Sequence, residues 1–158
     1  MDTLEPRRKT NSVQVGSLAI GSDHPIRVQS MTTTDTADLD ATLRQIERLE
    51  KAGCELIRIT VPNRESAANF VGFKKHAKVP LIADVHFDYR MALLAIENGA
   101  DKVRINPGNI GDEQRVREVL RAAKQKGVAV RIGVNSGSIE KDLLEKYGWP
   151  SPEAMVDS

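Results

Sequence analysis

A chain of 158 residues with 40% hydrophobic content is long enough to bury a real core, which excludes global disorder and fits one domain. Its 23 basic and 22 acidic residues leave a net charge of +1, so no long-range field draws it to nucleic acid or to an anionic membrane, and any anion site must be local. The single cysteine, Cys54, excludes an internal disulfide and has no second cysteine with which to build a metal site, as suits a reducing cytoplasm. The basic stretch 1–12 lacks the apolar region of a secretion signal, and nowhere do about 18 apolar residues run together, so the reading is a soluble protein.

In chain order, residues 12–20 read as a small hairpin, with Val13 and Val15, then Gly16-Ser17, then Leu18 and Ile20. From residue 26 onward, short β-branched runs alternate with segments of helical apolar spacing, the grammar of βα units. Strands are predicted at 26–31, 55–61, 79–86, 102–106 and 129–134. Their apolar density on both sides of each arginine points to parallel strands covered by helices. The first helix carries Leu39, Leu43, Ile46 and Leu49 on one face and stops at Gly53. A second spans about 65–76, with Gly72 inside it. Asp88 caps a helix over 89–98 closed by Gly99, and Asp112 caps one carrying Val116, Val119, Leu120 and Ala123 up to Gly127. Ser138 is placed as the cap of a fifth helix reaching about Lys146. Arg58, Arg104 and Arg131 lie 46 and 27 residues apart with one strand between the first two, so a unit takes about 23 to 27 residues, as in a (β/α) barrel or a doubly wound sheet. The count is five units. Ser151-Pro152-Glu153 then opens a helix just before residue 158. Five units cannot close an eight-stranded barrel, so the fold class is α/β, a TIM-type barrel expected to be incomplete; a five-stranded sheet with a frayed tail is the other reading. Open edges would make such a chain aggregate or depend on a partner.

An arginine flanked by β-branched residues occurs four times, in Ile26-Arg27-Val28, Ile57-Arg58-Ile59, Val103-Arg104-Ile105 and Val130-Arg131-Ile132. Because side chains alternate along a strand, the aliphatic neighbours face one way and each arginine the other, into the barrel. An unpaired guanidinium there costs several kcal/mol, so something negative must meet it. One answer is a core network with strand acids such as Asp84. The other is a shared anionic ligand, because parallel α/β folds bind ligands at the carboxyl ends of their strands. Arg58, Arg104 and Arg131 lie late in their strands, with Thr60, Asn106 and Asn135 after them, and forked guanidiniums match the oxygens of a diphosphate. Asn106 and Asn135 would add neutral donors, Gly108 and Gly137 would admit close backbone approach, and Ser136 and Ser138 would sit at free helix N–H groups. Arg27 falls early in its strand, where a salt bridge at the barrel bottom serves as well as a ligand contact. Asp84 and His86 share a face by period 2 and could bind hydroxyls or move protons; a strand-end network is the plain alternative. Cys54 reads as a small buried hydrophobe, and His24 and His76 receive no role.

Val28-Gln29-Ser30-Met31-Thr32, Ala83-Asp84-Val85-His86-Phe87-Asp88-Tyr89-Arg90, Val103-Arg104-Ile105-Asn106-Pro107-Gly108-Asn109-Ile110-Gly111 and Val130-Arg131-Ile132-Gly133-Val134-Asn135-Ser136-Gly137-Ser138 together resemble the 4-hydroxy-3-methylbut-2-en-1-yl diphosphate synthase family, from Arg8 to Ser158. The resemblance implies a (β/α)8 barrel followed by a smaller domain holding a 4Fe-4S cluster. It also implies reductive ring opening of 2-C-methyl-D-erythritol 2,4-cyclodiphosphate in non-mevalonate isoprenoid synthesis, with electrons from flavodoxin or ferredoxin, in a homodimer where one subunit's cluster domain caps the other's barrel. By motif, Arg58, Arg104 and Arg131 are then diphosphate ligands beside Asn106 and Asn135, while Asp84 and His86 face the substrate as catalytic candidates. On this reading residues 1–158 are the N-terminal part of the barrel domain. The cluster cysteines, the later strands and the iron–sulfur domain lie outside this sequence, and the chain alone is expected to be inactive. Two other functions fit the arginines, a phosphate-binding module without redox chemistry and a barrel enzyme of the pterin-binding synthase kind.

Overall fold

In the computed structural model, residues 7–158 are described, so the first six residues of the basic N-terminal stretch lie outside the description. The chain opens with an antiparallel hairpin, β1 (Val13–Val15) and β2 (Leu18–Ile20), turned at Gly16 with φ +54°. Five parallel strands follow, β3 (Gln29–Met31), β4 (Leu56–Thr60), β5 (Leu81–Asp84), β6 (Lys102–Ile105) and β7 (Ala129–Ile132), each beside its sequence neighbour. Between them run α1 (Leu39–Lys51), α2 (Arg64–Ala68), α3 (Phe70–His76), α4 (Tyr89–Glu97), α5 (Pro107–Ile110) and α6 (Glu113–Lys126). A 3-10 turn (Ser136–Ser138), α7 (Lys141–Tyr147) and α8 (Pro152–Asp157) complete the order. The five predicted βα units are all present.

Two apolar layers fix the two faces of the sheet. On one face Ile57, Ile59, Leu81, Ala83, Val103 and Ile105 are buried against Phe70, Phe73, Ile96 and Val119 of the helices. Full burial of each large side chain contributes about 1.5–3 kcal/mol, which makes this face the main source of stability. On the opposite, inner face Leu56, Ile82 and Ala129 pack against Val15 of the hairpin. The hairpin thereby covers the amino end of that face and leaves the carboxyl end to polar side chains.

Asp38, Asp88 and Asp112 cap α1, α4 and α6 through the backbone N–H groups of Ala41, Arg90 and Arg115, and Gly127 closes α6 in the left-handed region. The helix expected over 65–76 is instead two. Asn69 lies at the junction with its backbone still in the right-handed helical region, bonded to Glu65 and Phe73, while its side-chain amide donates to the carbonyls of Thr36 and Ala37. Gly72 has a packing reason: a Cβ there would stand 2.8 Å from Leu39 Cδ1 of α1. The chain after β6 is a short helix, α5, rather than a plain loop, with Asn106 as its cap and Pro107 first in it. Ser138 does not cap the fifth helix. That helix starts at Lys141 after Glu140, and Ser138 turns inward. Gly137 has no protein atom within 4 Å of its notional Cβ, so no contact within the chain calls for glycine there, whereas a Cβ on Gly108 would collide with the carbonyl oxygen of Ser138.

Candidate anion-binding site

Strand alternation places a row of polar side chains on the inner face. Thr60, Asp84, Arg104 and Arg131 are register partners across β4, β5, β6 and β7. One level toward the hairpin stand Arg58, Ile82, Lys102 and Ala129. Parallel pairing keeps partners on the same side, so the three arginines converge toward the carboxyl ends of their strands, with Lys102 on the same face at the start of β6.

Asp84 is the hub of this face and is fully buried. Its Oδ2 accepts from Arg58 Nη2 at 2.5 Å and lies 3.4 Å from His86 Nε2, while Oδ1 accepts from Arg104 Nη1 at 3.4 Å. The core-network reading is thus realised in part. It does not balance the charge: Asp84 is one carboxylate against the four cations Arg58, Lys102, Arg104 and Arg131, a surplus of three. Among the described residues Lys102 and Arg131 make no ion pair, and Arg58 Nε is buried with no hydrogen-bond partner. Burial pushes the Lys102 ammonium below its usual range, and the nearby Arg131 charge pushes it further. Such a surface holds donors and positive charge ready for a multivalent anion.

A second layer joins the loops beyond β6 and β7. Asn106 is buried; its Nδ2 donates to Ser138 Oγ at 2.6 Å and its Oδ1 accepts from Gly108 N–H at 3.1 Å. Ser138 Oγ in turn donates to the Asn135 carbonyl at 3.1 Å. Gly108 is required here because the α5 backbone lies directly against Ser138. Asn106→Ala is expected to lower stability by about 1–3 kcal/mol, from the lost cap and the lost buried bond to the Ser138 hydroxyl. Denaturant unfolding measures that loss; an unchanged midpoint would show the bridge to be dispensable.

Residues 10–158 match the family model described as the GcpE TIM-barrel domain. The chain belongs to the GcpE family. It is 52% identical over 155 residues to the 4-hydroxy-3-methylbut-2-en-1-yl diphosphate synthase (flavodoxin) of Caldanaerobacter subterraneus subsp. tengcongensis, covering 98% of this chain and 44% of that protein. The proteins of the same name in Geobacillus thermodenitrificans and Fusobacterium nucleatum are 54% and 56% identical over 158 and 151 residues, covering 100% and 96% of this chain. Of those two, 42% and 43% of the length is matched, so the GcpE chain spans less than half of its curated relatives. Among solved structures, 7,8-dihydropteroate synthase from Vibrio fischeri ES114 superposes with a TM-score of 0.57 at 16% identity, covering 94% of this chain and 62% of its own. A mandelate oxidase mutant superposes at 0.51 and 20% identity, covering 70% of this chain and 43% of its own. At such identities these two speak for the fold alone. The five βα units of the GcpE chain are an incomplete TIM barrel.

Within this GcpE domain the structure sorts the residues picked out from sequence. Arg58, Asp84, His86, Arg104 and Arg131 come together on the inner face. Asp84 does not meet open space, since its oxygens are taken up by the two arginines and His86, so its influence on a ligand passes through them. His86 keeps 38% of its side chain exposed and is the more accessible proton-carrying group. Asn106 is enclosed and serves the loops, while Asn135 is exposed behind β7. Arg27 stands apart: its Nη1 pairs with Glu55 Oε1 at 2.8 Å before β3 and β4 begin, so the salt bridge at the barrel bottom is the correct reading. Hydrogen bonds to the Val28 backbone N–H and to Arg27 hold the Glu55 carboxyl below its usual range. Lys102 was not picked out, although standing two residues before Arg104 puts it on the same face by period 2.

The single cysteine gives this chain no cradle for an iron–sulfur cluster. Cys54 is buried, its Sγ donating to the Leu56 carbonyl at 2.9 Å, and no group of three or more His, Cys, Asp or Glu gathers among the described residues. Among those residues no helix is long and apolar enough to cross a membrane.

Proposed function

We propose that this chain is the N-terminal, diphosphate-binding part of the barrel of a cytoplasmic 4-hydroxy-3-methylbut-2-en-1-yl diphosphate synthase. The observation that carries the proposal is the uncompensated charge on the inner face, where four cations stand against one buried carboxylate that pairs with only two of them. The relatives' shared name supplies the ligand class, a diphosphate. In this reading Arg58, Arg104 and Arg131 fork onto the diphosphate oxygens and Lys102 adds a point charge beneath them. Asp84 holds Arg58, Arg104 and His86 in place, and His86 meets the hydroxyl end of 2-C-methyl-D-erythritol 2,4-cyclodiphosphate as proton carrier. The complete enzyme opens that ring reductively with electrons from flavodoxin, the donor in the relatives' names, or from ferredoxin, and works as a homodimer. Its 4Fe-4S cluster takes its ligands from an iron–sulfur domain outside these 158 residues.

Titration of the chain with pyrophosphate tests the binding half. Pyrophosphate is expected to bind more tightly than orthophosphate, and Arg27→Ala to leave that affinity unchanged while lowering the melting temperature. Equal affinity for the two anions would overturn the reading. Turnover of the cyclodiphosphate by the protein extended to its relatives' length tests the other half. Binding without product would favour a phosphate-binding module without redox chemistry, and a pterin substrate consumed in its place would favour the dihydropteroate synthase kind.

Lys102 adds a pH dependence. Its ammonium is depressed in the free chain and an anion would raise it again, so binding takes up a proton as pH climbs toward the usual 10.5. Affinity is full below the depressed value and falls as pH rises through it. Sulfate, which does not titrate there, is the probe. In Lys102→Met that alkaline fall should vanish; its persistence would assign the effect to another group.

A further inference from the structure

Three strands carry an inward arginine late in their length, and two residues further on β4 and β6 lead to the polar Thr60 and Asn106. After β7 the equivalent position is Gly133, directly beyond Arg131-Ile132. The break has a spatial cause. Arg104 and Arg131 are register partners, as are Ile105 and Ile132, so Gly133 comes next along the pair and lies beside the path of the Arg104 side chain. Its backbone N–H donates to the Ile105 carbonyl at 2.8 Å, which fixes it against β6. A Cβ on Gly133 would stand 2.7 Å from Arg104 Cζ and 2.5 Å from Nη2, with Nε closer still. No backbone atom is among those neighbours, and Gly133 has no left-handed φ that would demand glycine. What glycine supplies at 133 is therefore room, and the group filling it is a guanidinium.

We propose that Gly133 is a positioning residue: its bare backbone is the seat on which the Arg104 guanidinium lies while Nη1 faces Asp84 Oδ1 on the neighbouring strand β5. The seat fixes where the fork points. Arg104 is only 12% exposed, with Asp84 on one side and Gly133 on the other, so a methyl group at 133 must lift it off one of them. The consequence for ligand affinity rests on the diphosphate reading above; the seat itself does not.

The test uses Gly133→Ala, Arg104→Ala and the double variant in this chain, with pyrophosphate as probe. Gly133→Ala is expected to weaken pyrophosphate binding about tenfold or more, and the double variant to bind no worse than Arg104→Ala, since both changes act through one group. Independently of any ligand, the Arg104 Nε–H resonance should move in Gly133→Ala while that of Arg27 stays in place. Additive losses, or an unmoved Arg104 resonance, would overturn the seat. Should the wild-type chain fail to bind pyrophosphate, the diphosphate reading falls and the resonance alone decides the seat. Should Gly133→Ala fail to fold, the double variant answers: folding restored by removing the guanidinium supports the seat, and continued failure places the requirement in the backbone and refutes it.

Discussion

Arg104→Ala is expected to reduce pyrophosphate affinity by roughly 30- to 150-fold, a loss of about 2–3 kcal/mol, the scale of charge-assisted hydrogen bonds to a well-held anion. The size follows from position rather than from charge alone. Arg104 is the least exposed arginine of the cluster at 12%, it spans from Asp84 on β5 to Gly133 beyond β7, and its fork is fixed before any ligand arrives. Arg131 is exposed and unpaired among the described residues, so its removal should cost less, nearer the value of a solvated contact. Isothermal titration of the two variants at one ionic strength checks the order. Equal losses would mean that the face attracts anions only as a diffuse field and that no single fork is aimed.

Asp84→Ala should separate stability from binding. Removing the carboxylate leaves Arg58 and Arg104 facing each other without a counter-charge, which destabilises the fold by about 2–3 kcal/mol, below the full figure for a buried pair because Arg58 is 24% exposed and can rehydrate. An anion can then take the vacated role. Pyrophosphate is accordingly expected to raise the melting temperature of Asp84→Ala more than that of the wild-type chain, through ordinary linkage. A variant as stable as wild type and indifferent to pyrophosphate would show that the hub does not organise the arginines. Turnover in the extended protein should fall as well, since His86 loses the carboxylate that lies 3.4 Å from its Nε2.

The residues that were legible in advance share one property: their placement depends on period and on immediate neighbours. Ile57-Arg58-Ile59 and Val103-Arg104-Ile105 announce an arginine opposed to an apolar face because strand geometry alternates without reference to the rest of the chain. Asp88 and Asp112 announce helix starts because a cap needs only the next turn. The misplacements arise where a distant segment decides. Asn69, at the junction of α2 and α3, spends its side chain on carbonyls more than 30 residues away, at Thr36 and Ala37. Ser138 leaves its expected cap because Asn106, 32 residues earlier, takes its hydroxyl. Gly133 gave no signal, since its reason is the side chain of a residue on another strand.

The βα alternation, the number of units, the face on which Arg58, Asp84, Arg104 and Arg131 stand, and the family are all encoded in local geometry and ordered motifs. Tertiary contacts alone show that Asp84 is shared between two arginines, that Arg27 belongs to Glu55 instead, that Lys102 makes no ion pair among the described residues, and that Asn106 is enclosed. Each of those depends on strand register and on which side chains meet across it, and one residue of slip would have exchanged every partner.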